Sequence, residues 1–214
     1  MSTSPVRFFG FLALTSLGAC NSVSDPAARP AIDLNATAQA PKFTCLSSSA
    51  TMRLPADLRA TLVPFGGRVP DDAYVAISQS VPGGFAGIFF EDNHFVLTFV
   101  DPEAANAARA QIAQAFAARN IGGPGFSVAN AEFRGARWTF AELDEWFRYM
   151  ILKGVGGSGS GVSSIDIDEK ANTVAFGVID ETARNLLESQ LASLNVSCNL
   201  VTTVIQSYAI AAPG

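Results

Sequence analysis

Val162-Ser163-Ser164-Ile165-Asp166-Ile167, then Asp168-Glu169-Lys170-Ala171-Asn172, then Thr173-Val174-Ala175-Phe176-Gly177-Val178-Ile179, is two apolar runs on either side of a polar turn. That pattern predicts a β-hairpin. Asp180 stands as an N-cap before a helix expected to reach Leu194, with Ala183, Leu186, Leu187, Gln190, Leu191 and Leu194 on its inner face. A strand is then expected from about Asn199 to Gln206. The same order stands earlier in the chain. The run from Phe85 to Val100 is interrupted by Glu91-Asp92-Asn93-His94, read as a four-residue polar turn, and Asp101-Pro102-Glu103 opens a helix expected to reach Arg119. Its face is Ala105, Ala108, Ile112, Ala115 and Phe116; Gly122-Gly123-Pro124-Gly125 ends it, and a strand is expected from Phe126 to Phe133. Setting Asp101 against Asp180 aligns Phe99-Val100 with Val178-Ile179, so the chain carries two ββαβ units.

Between the units lies the strongest helical signal. Thr139-Phe140-Ala141-Glu142 is a capping box, with Trp138 and Leu143 placed as a hydrophobic staple. Leu143, Trp146, Phe147, Met150 and Ile151 follow as one apolar stripe, and Lys153-Gly154 closes the helix. Gly154 to Gly161 is read as a flexible linker, because a phosphate loop would need Gly-Lys-Ser/Thr opening a helix after a strand. Short helices are expected at Pro55 to Leu62 and Asp71 to Ser80. The fold class that follows is α+β: two ββαβ units joined by a helix, a mainly antiparallel sheet, and helices packed on one side of it.

The chain has 214 residues and a formal net charge of −5, with 49% hydrophobic and 15% charged residues. The negative balance argues against a phosphate-backbone ligand, so no nucleic acid partner is expected. The low charged fraction has a local source at the N-terminus. Arg7 precedes an apolar run from Phe8 to Leu17, and Leu17-Gly18-Ala19-Cys20 places small residues before a cysteine. Ten helical residues rise about 15 Å, half of a ~30 Å hydrocarbon core, which fits a signal-peptide core and not a span. Residues 1–19 are therefore read as a signal peptide, 20–42 as a Pro- and Ala-rich tether, 43–81 as a helical or irregular segment packing on the core, 82–206 as the duplicated module and 207–214 as a tail. About 22 tether residues give an r.m.s. reach of roughly 25 Å.

Leu17-Gly18-Ala19-Cys20 resembles the lipobox of bacterial lipoproteins. The resemblance implies lipidation of Cys20, anchorage to a membrane and a place in the cell envelope, with Asn21 favouring the outer membrane, facing the periplasm or the cell surface. The other reading is an ordinary signal peptide cut near Ala19. Cys45 and Cys198 then remain, either as a disulfide that staples the ends of the domain or as two buried thiols. A bridge closing about 150 residues contributes up to roughly 5 kcal/mol in the chain-entropy model. Neither cysteine has a second ligand at metal spacing, so no metal site is expected.

Pro82-Gly83-Gly84-Phe85-Ala86-Gly87-Ile88-Phe89-Phe90, Arg137-Trp138-Thr139-Phe140-Ala141-Glu142-Leu143 and Gly161-Val162-Ser163-Ser164-Ile165-Asp166-Ile167-Asp168 resemble the propeptide module of the α-lytic-protease and streptogrisin family. The resemblance covers roughly Pro82 to Gln206. It implies a domain whose last strand pairs with a chymotrypsin-like serine protease and whose tail enters the protease's active site. Carried over, the strand residues Val201, Thr203 and Ile205 set specificity, and Tyr208, Ala209, Ala211 and Ala212 in the tail contact the partner.

Groups that carry chemistry are sparse. His94 is the single histidine, with Asp92 two residues before it, but no Gly-x-Ser-x-Gly elbow occurs and a turn position leaves the pair solvated. Asp166, Asp168, Glu169 and Asp180 lack the spacing of a calcium loop, and alternation puts Asp166 and Asp168 on the solvent face. Trp138, Trp146 and Phe147 are expected in the core and Tyr149 outside it. No catalytic residue and no cofactor are assigned. The expected function is a membrane-tethered, non-catalytic binding module, with a structural envelope lipoprotein that holds peptidoglycan or another outer-membrane protein as the alternative.

Overall fold

The computed structural model describes residues 53–62, 71–123, 125–197 and 199–206. After a short helix α1 (Ala56–Arg59), helix α2 (Asp71–Ser80) leads into the hairpin β1 (Phe85–Glu91) and β2 (His94–Phe99). Two consecutive helices, α3 (Pro102–Ala107) and α4 (Arg109–Ala117), precede β3 (Glu132–Gly135), and α5 (Phe140–Leu152) joins the halves. The second half runs β4 (Val162–Asp168), β5 (Thr173–Val178), α6 (Glu181–Ser193) and β6 (Val201–Ile205). The class is α+β, as the hairpin-helix-strand pattern required.

Each half builds its own three-stranded sheet, ordered β1-β2-β3 and β4-β5-β6. The single sheet expected from sequence is thus two. In each, the hairpin is antiparallel, and the third strand lies parallel to the second, because a helix carries the chain back across the face before it returns. The duplication extends to details. A bulge falls between Phe85 and Gly87 in β1 and between Val162 and Ser164 in β4. Asp101 accepts a hydrogen bond from the Ala104 N–H and Asp180 from the Ala183 N–H, each as a side-chain cap of the helix that follows. Ala136 N–H donates to Phe99 O, and Gln206 N–H donates to Val178 O, at the end of each parallel ladder.

One apolar core serves both halves, with Phe85, Phe99, Phe116 and Phe140 continuous with Phe176, Val178, Leu187 and Leu191. Helix α5 sits at its centre. Its capping box is formed in full, Thr139 accepting from Glu142 N–H while the Glu142 carboxylate accepts from Thr139 N–H. Leu143, Trp146, Phe147 and Met150 are buried as the stripe predicts, and Tyr149 is buried too, at 8% exposure, edge-on to Trp146. That corrects its assignment to the outside; the ring also lies under the Lys153 ammonium. Ser78 ties three elements, donating to Phe85 O and accepting from Ala141 N–H.

Several expected boundaries move for identifiable reasons. The first helix of unit one breaks at Ala108 (φ −102°, ψ 18°). There Arg109 turns its guanidinium to Asn106 Oδ1 and to the carbonyls of Val128 and Ala131, 2.6 and 3.0 Å away, and lies 3.7 Å over the Phe133 ring. Those carbonyls are thereby held by a side chain and not by a ladder, so the strand expected from Phe126 begins only at Glu132. The first hairpin turn is two residues, Asp92 and Asn93, at φ 46° and 64°, a left-handed pair that matches strand twist. In α6, Leu186 is 46% exposed, and Arg184 and Glu188 are buried instead. The glycine-serine run is not a spacer: Gly154, Gly156, Gly159 and Gly161 all take left-handed φ values, and Val155 and Ser160 are buried.

Candidate functional site

The chemistry-bearing side chains converge where the two halves meet. The β4–β5 turn, Glu169 to Asn172, is two residues longer than its counterpart and reaches across to unit one. Asn172, at φ 55°, accepts from the N–H groups of both Arg137 and Trp138, at 2.8 and 2.7 Å, and donates back to Trp138 O at 2.9 Å. Asparagine supplies an acceptor and a donor on one short arm and tolerates a left-handed backbone, and this position uses all three properties. Trp138 Nε1 donates to Asn199 O at 3.3 Å, so the segment opening α5 is fixed from both strand ends of unit two.

The neighbouring residue in the turn, Lys170, places its ammonium 2.7 Å from Glu91 Oε1 on β1. A chain of charges continues from there: Arg134 reaches Glu91 Oε2 at 2.8 Å and Glu132 Oε1 at 2.9 Å, and His94 Nε2 lies 2.9 Å from Glu132 Oε2. The register explains the assembly, since Glu91 pairs with His94 and Val96 with Glu132, which puts these side chains on one face of the first sheet. Hydrogen bonds from Lys170 and Arg134 hold the Glu91 carboxyl down at about 2, and those from Arg134 and His94 lower Glu132. Glu132, followed by the Asp92 carbonyl, raises the affinity of His94 for its proton. His94 is thus a strand residue in an ion pair and not a residue of a solvated turn. The Asp92 carboxylate takes no part in that pair; it is the Asp92 carbonyl that receives the Nδ1–H, at 3.2 Å.

Glu169 is the opposite case. It packs on Gly87, where an added Cβ would stand 2.5 Å from Glu169 Cβ and 2.6 Å from Cγ, so only glycine admits the turn. Burial, then the charges of Asp166, Asp168 and Asp71, push its carboxyl up to about 7. Tyr74 on α2 is pushed up to about 12 by burial, Glu169 and Asp71.

Two recesses open beside this network. One, of about 760 Å³, lies at the seam and is lined by Arg137, Lys170, Asn172, Thr173, Asn199 and Thr202, with small residues between them. The other, of about 310 Å³, is apolar, walled by Tyr74, Phe89, Phe95 and Phe126, with Phe90 at its rim 59% exposed. Neither was legible from motifs.

Of the partner residues expected from sequence, β6 does lie at a sheet edge. Val201 and Thr203, however, are 1% and 0% exposed, main chain included, and cannot set specificity as expected. In the parallel register they share a face with Val174 and Phe176 and point into the core. Ile205 is half-buried, as are Thr202 and Val204 on the other face. Cys20, Cys45, Cys198, Tyr208, Ala209, Ala211 and Ala212 lie outside the described residues. Among the described residues, Asp166, Asp168, Glu169 and Asp180 form no metal-ligating group with their neighbours, and no helix is long and apolar enough to cross a membrane. Comparison with protein-family models and with curated proteins finds no match.

Proposed function

We propose that the chain is a lipid-anchored, non-catalytic binding module of the cell envelope, held to a membrane through Cys20 and standing off it on residues 21–42. The observation that supports this reading is that the single histidine and the charged groups beside it are spent on one another. His94, Glu132, Arg134, Glu91 and Lys170 form a continuous run of ion pairs. A general base needs a free lone pair facing a reacting proton, and His94 has both ring nitrogens engaged. The likeness to protease propeptides makes a chymotrypsin-like serine protease the proposed partner, engaged in trans. With Val201 and Thr203 buried, the contact we propose is made by residues 207–214.

Metabolic labelling with a fatty-acid analogue tests the anchor: the parent chain incorporates it and Cys20→Ser does not. Equal labelling of both removes the anchor. Recovery of envelope proteins on the full-length chain and on a chain ending at Gln206 tests the partner. A serine protease retained by the first and lost from the second supports the assignment, and equal recovery or none overturns it.

A further inference from the structure

The recess at the seam has the composition of an anion site, and Arg137 is its centre. The other described arginines are all committed: Arg53, Arg59, Arg134, Arg148 and Arg184 to carboxylates, Arg109 and Arg119 to carbonyls. Arg137 is exposed, and among the described residues its guanidinium has no ion pair or hydrogen bond. Its backbone is held all the same, because its N–H and that of Trp138 both end on Asn172 Oδ1. A free cation on a fixed base is pre-organised to receive a ligand.

We propose that this recess binds a carboxylate, with the Arg137 fork as the principal contact and the Lys170 ammonium and the Thr173 and Thr202 hydroxyls around it. Guanidinium is planar and pairs two N–H groups with the two oxygens of a carboxylate, a geometry an ammonium cannot reproduce. The charge balance selects one negative charge over several. Lys170 is shared with Glu91 at 2.7 Å, which leaves the Arg137 guanidinium as the one unpaired cation among the described residues that line the recess. The Thr173 and Thr202 hydroxyls, 3.0 Å apart, keep lone pairs and a proton for a polar chain leading to the carboxylate. This inference rests on the binding-module reading and names the ligand chemistry of that module.

The carboxylate can come from the end of a peptide or from an acidic sugar, and one calorimetric series on the full-length chain separates them. The probes are acetyl-trialanine with a free C-terminus, the same peptide as its amide, and glucuronate. Saturable binding of the free acid or of glucuronate, with the amide at least tenfold weaker, supports the site, and the tighter acid identifies the source. Arg137→Gln should weaken binding at least tenfold, and Arg137→Lys by an intermediate factor, both at unchanged melting temperature. Equal affinity for acid and amide, no saturable binding by either acid, or an Arg137→Gln chain that binds as the parent does would overturn it. Each of those results leaves the Cys20 labelling and the protease recovery unaffected, so failure here is distinct from failure of the wider reading.

Discussion

His94 offers its two ring nitrogens to two acceptors, the Asp92 carbonyl at 3.2 Å and Glu132 Oε2 at 2.9 Å, and only the imidazolium can donate to both. Its proton is therefore held above the usual range for histidine. A raised folded-state affinity contributes stability that is fully present below the unfolded value near 6.5 and is lost as pH rises through the folded one. As the sequence holds one histidine, its NMR titration is unambiguous: the midpoint should lie above 6.5 and return toward it in Glu132→Gln. A parent midpoint at or below 6.5 would contradict the pairing. Glu169 carries the same sign with the opposite chemistry, because its folded value near 7 exceeds the ordinary 4.5. Its contribution is present below pH 4.5 and fades toward pH 7, above which a charged carboxylate is trapped against Gly87. Glu169→Gln should leave urea stability nearly unchanged at pH 4 and raise it at pH 8 by roughly 2 kcal/mol, a figure reduced for partial solvent screening. A variant no more stable than the parent at pH 8 would show that the carboxyl is not held in a dry site.

At the scale of elements, the turn between β4 and β5 does more than reverse the chain. Asn172→Ala removes the acceptor of two N–H groups, that of Trp138 buried and that of Arg137 part-buried, removes the donor to Trp138 O, and leaves alanine in a left-handed conformation. The expected loss is about 3 kcal/mol, against about 1 kcal/mol for Thr139→Ala, which removes a helix cap. Chemical denaturation of the two variants side by side should give that order, and the reverse order would refute the importance of the clamp. The elements themselves were largely legible, because the hairpins, caps and the α5 stripe are written in local periodicity. What local pattern could not supply was the joint. Nothing near Asn172 in sequence indicates that its partners lie 34 and 35 residues earlier, or that Arg109 will hold carbonyls 19 and 22 residues away. The parallel placement of β3 and β6 is likewise a long-range outcome. The candidate site was hidden for the same reason, since Arg137 reads as one cation beside a tryptophan until the turn of the other unit closes a recess around it.

For the whole molecule, one core and one seam predict that the halves are stable only together. Gly159 has open space around it, and a chain break between Ser158 and Gly159 crosses one turn hydrogen bond, from Ser160 N–H to Gly157 O. Fragments 1–158 and 159–214 should be unfolded apart and form an equimolar complex on mixing, recovering the fluorescence of the two buried tryptophans, Trp138 and Trp146. Native-like spectra from either fragment alone would disprove the shared core. The asymmetry of the two turns also sets a rule of exchange. Unit one closes its hairpin with two residues and offers a glycine, while unit two closes with four and offers the plug, so the duplicated halves fit as unlike parts. A chain assembled from two copies of unit one has two sockets and nothing to fill them. One built from two copies of unit two has two plugs and no glycine to receive either. Sibling copies have in this way become mutually irreplaceable, and a substitution at Gly87 is answerable only by a change in a turn some eighty residues downstream.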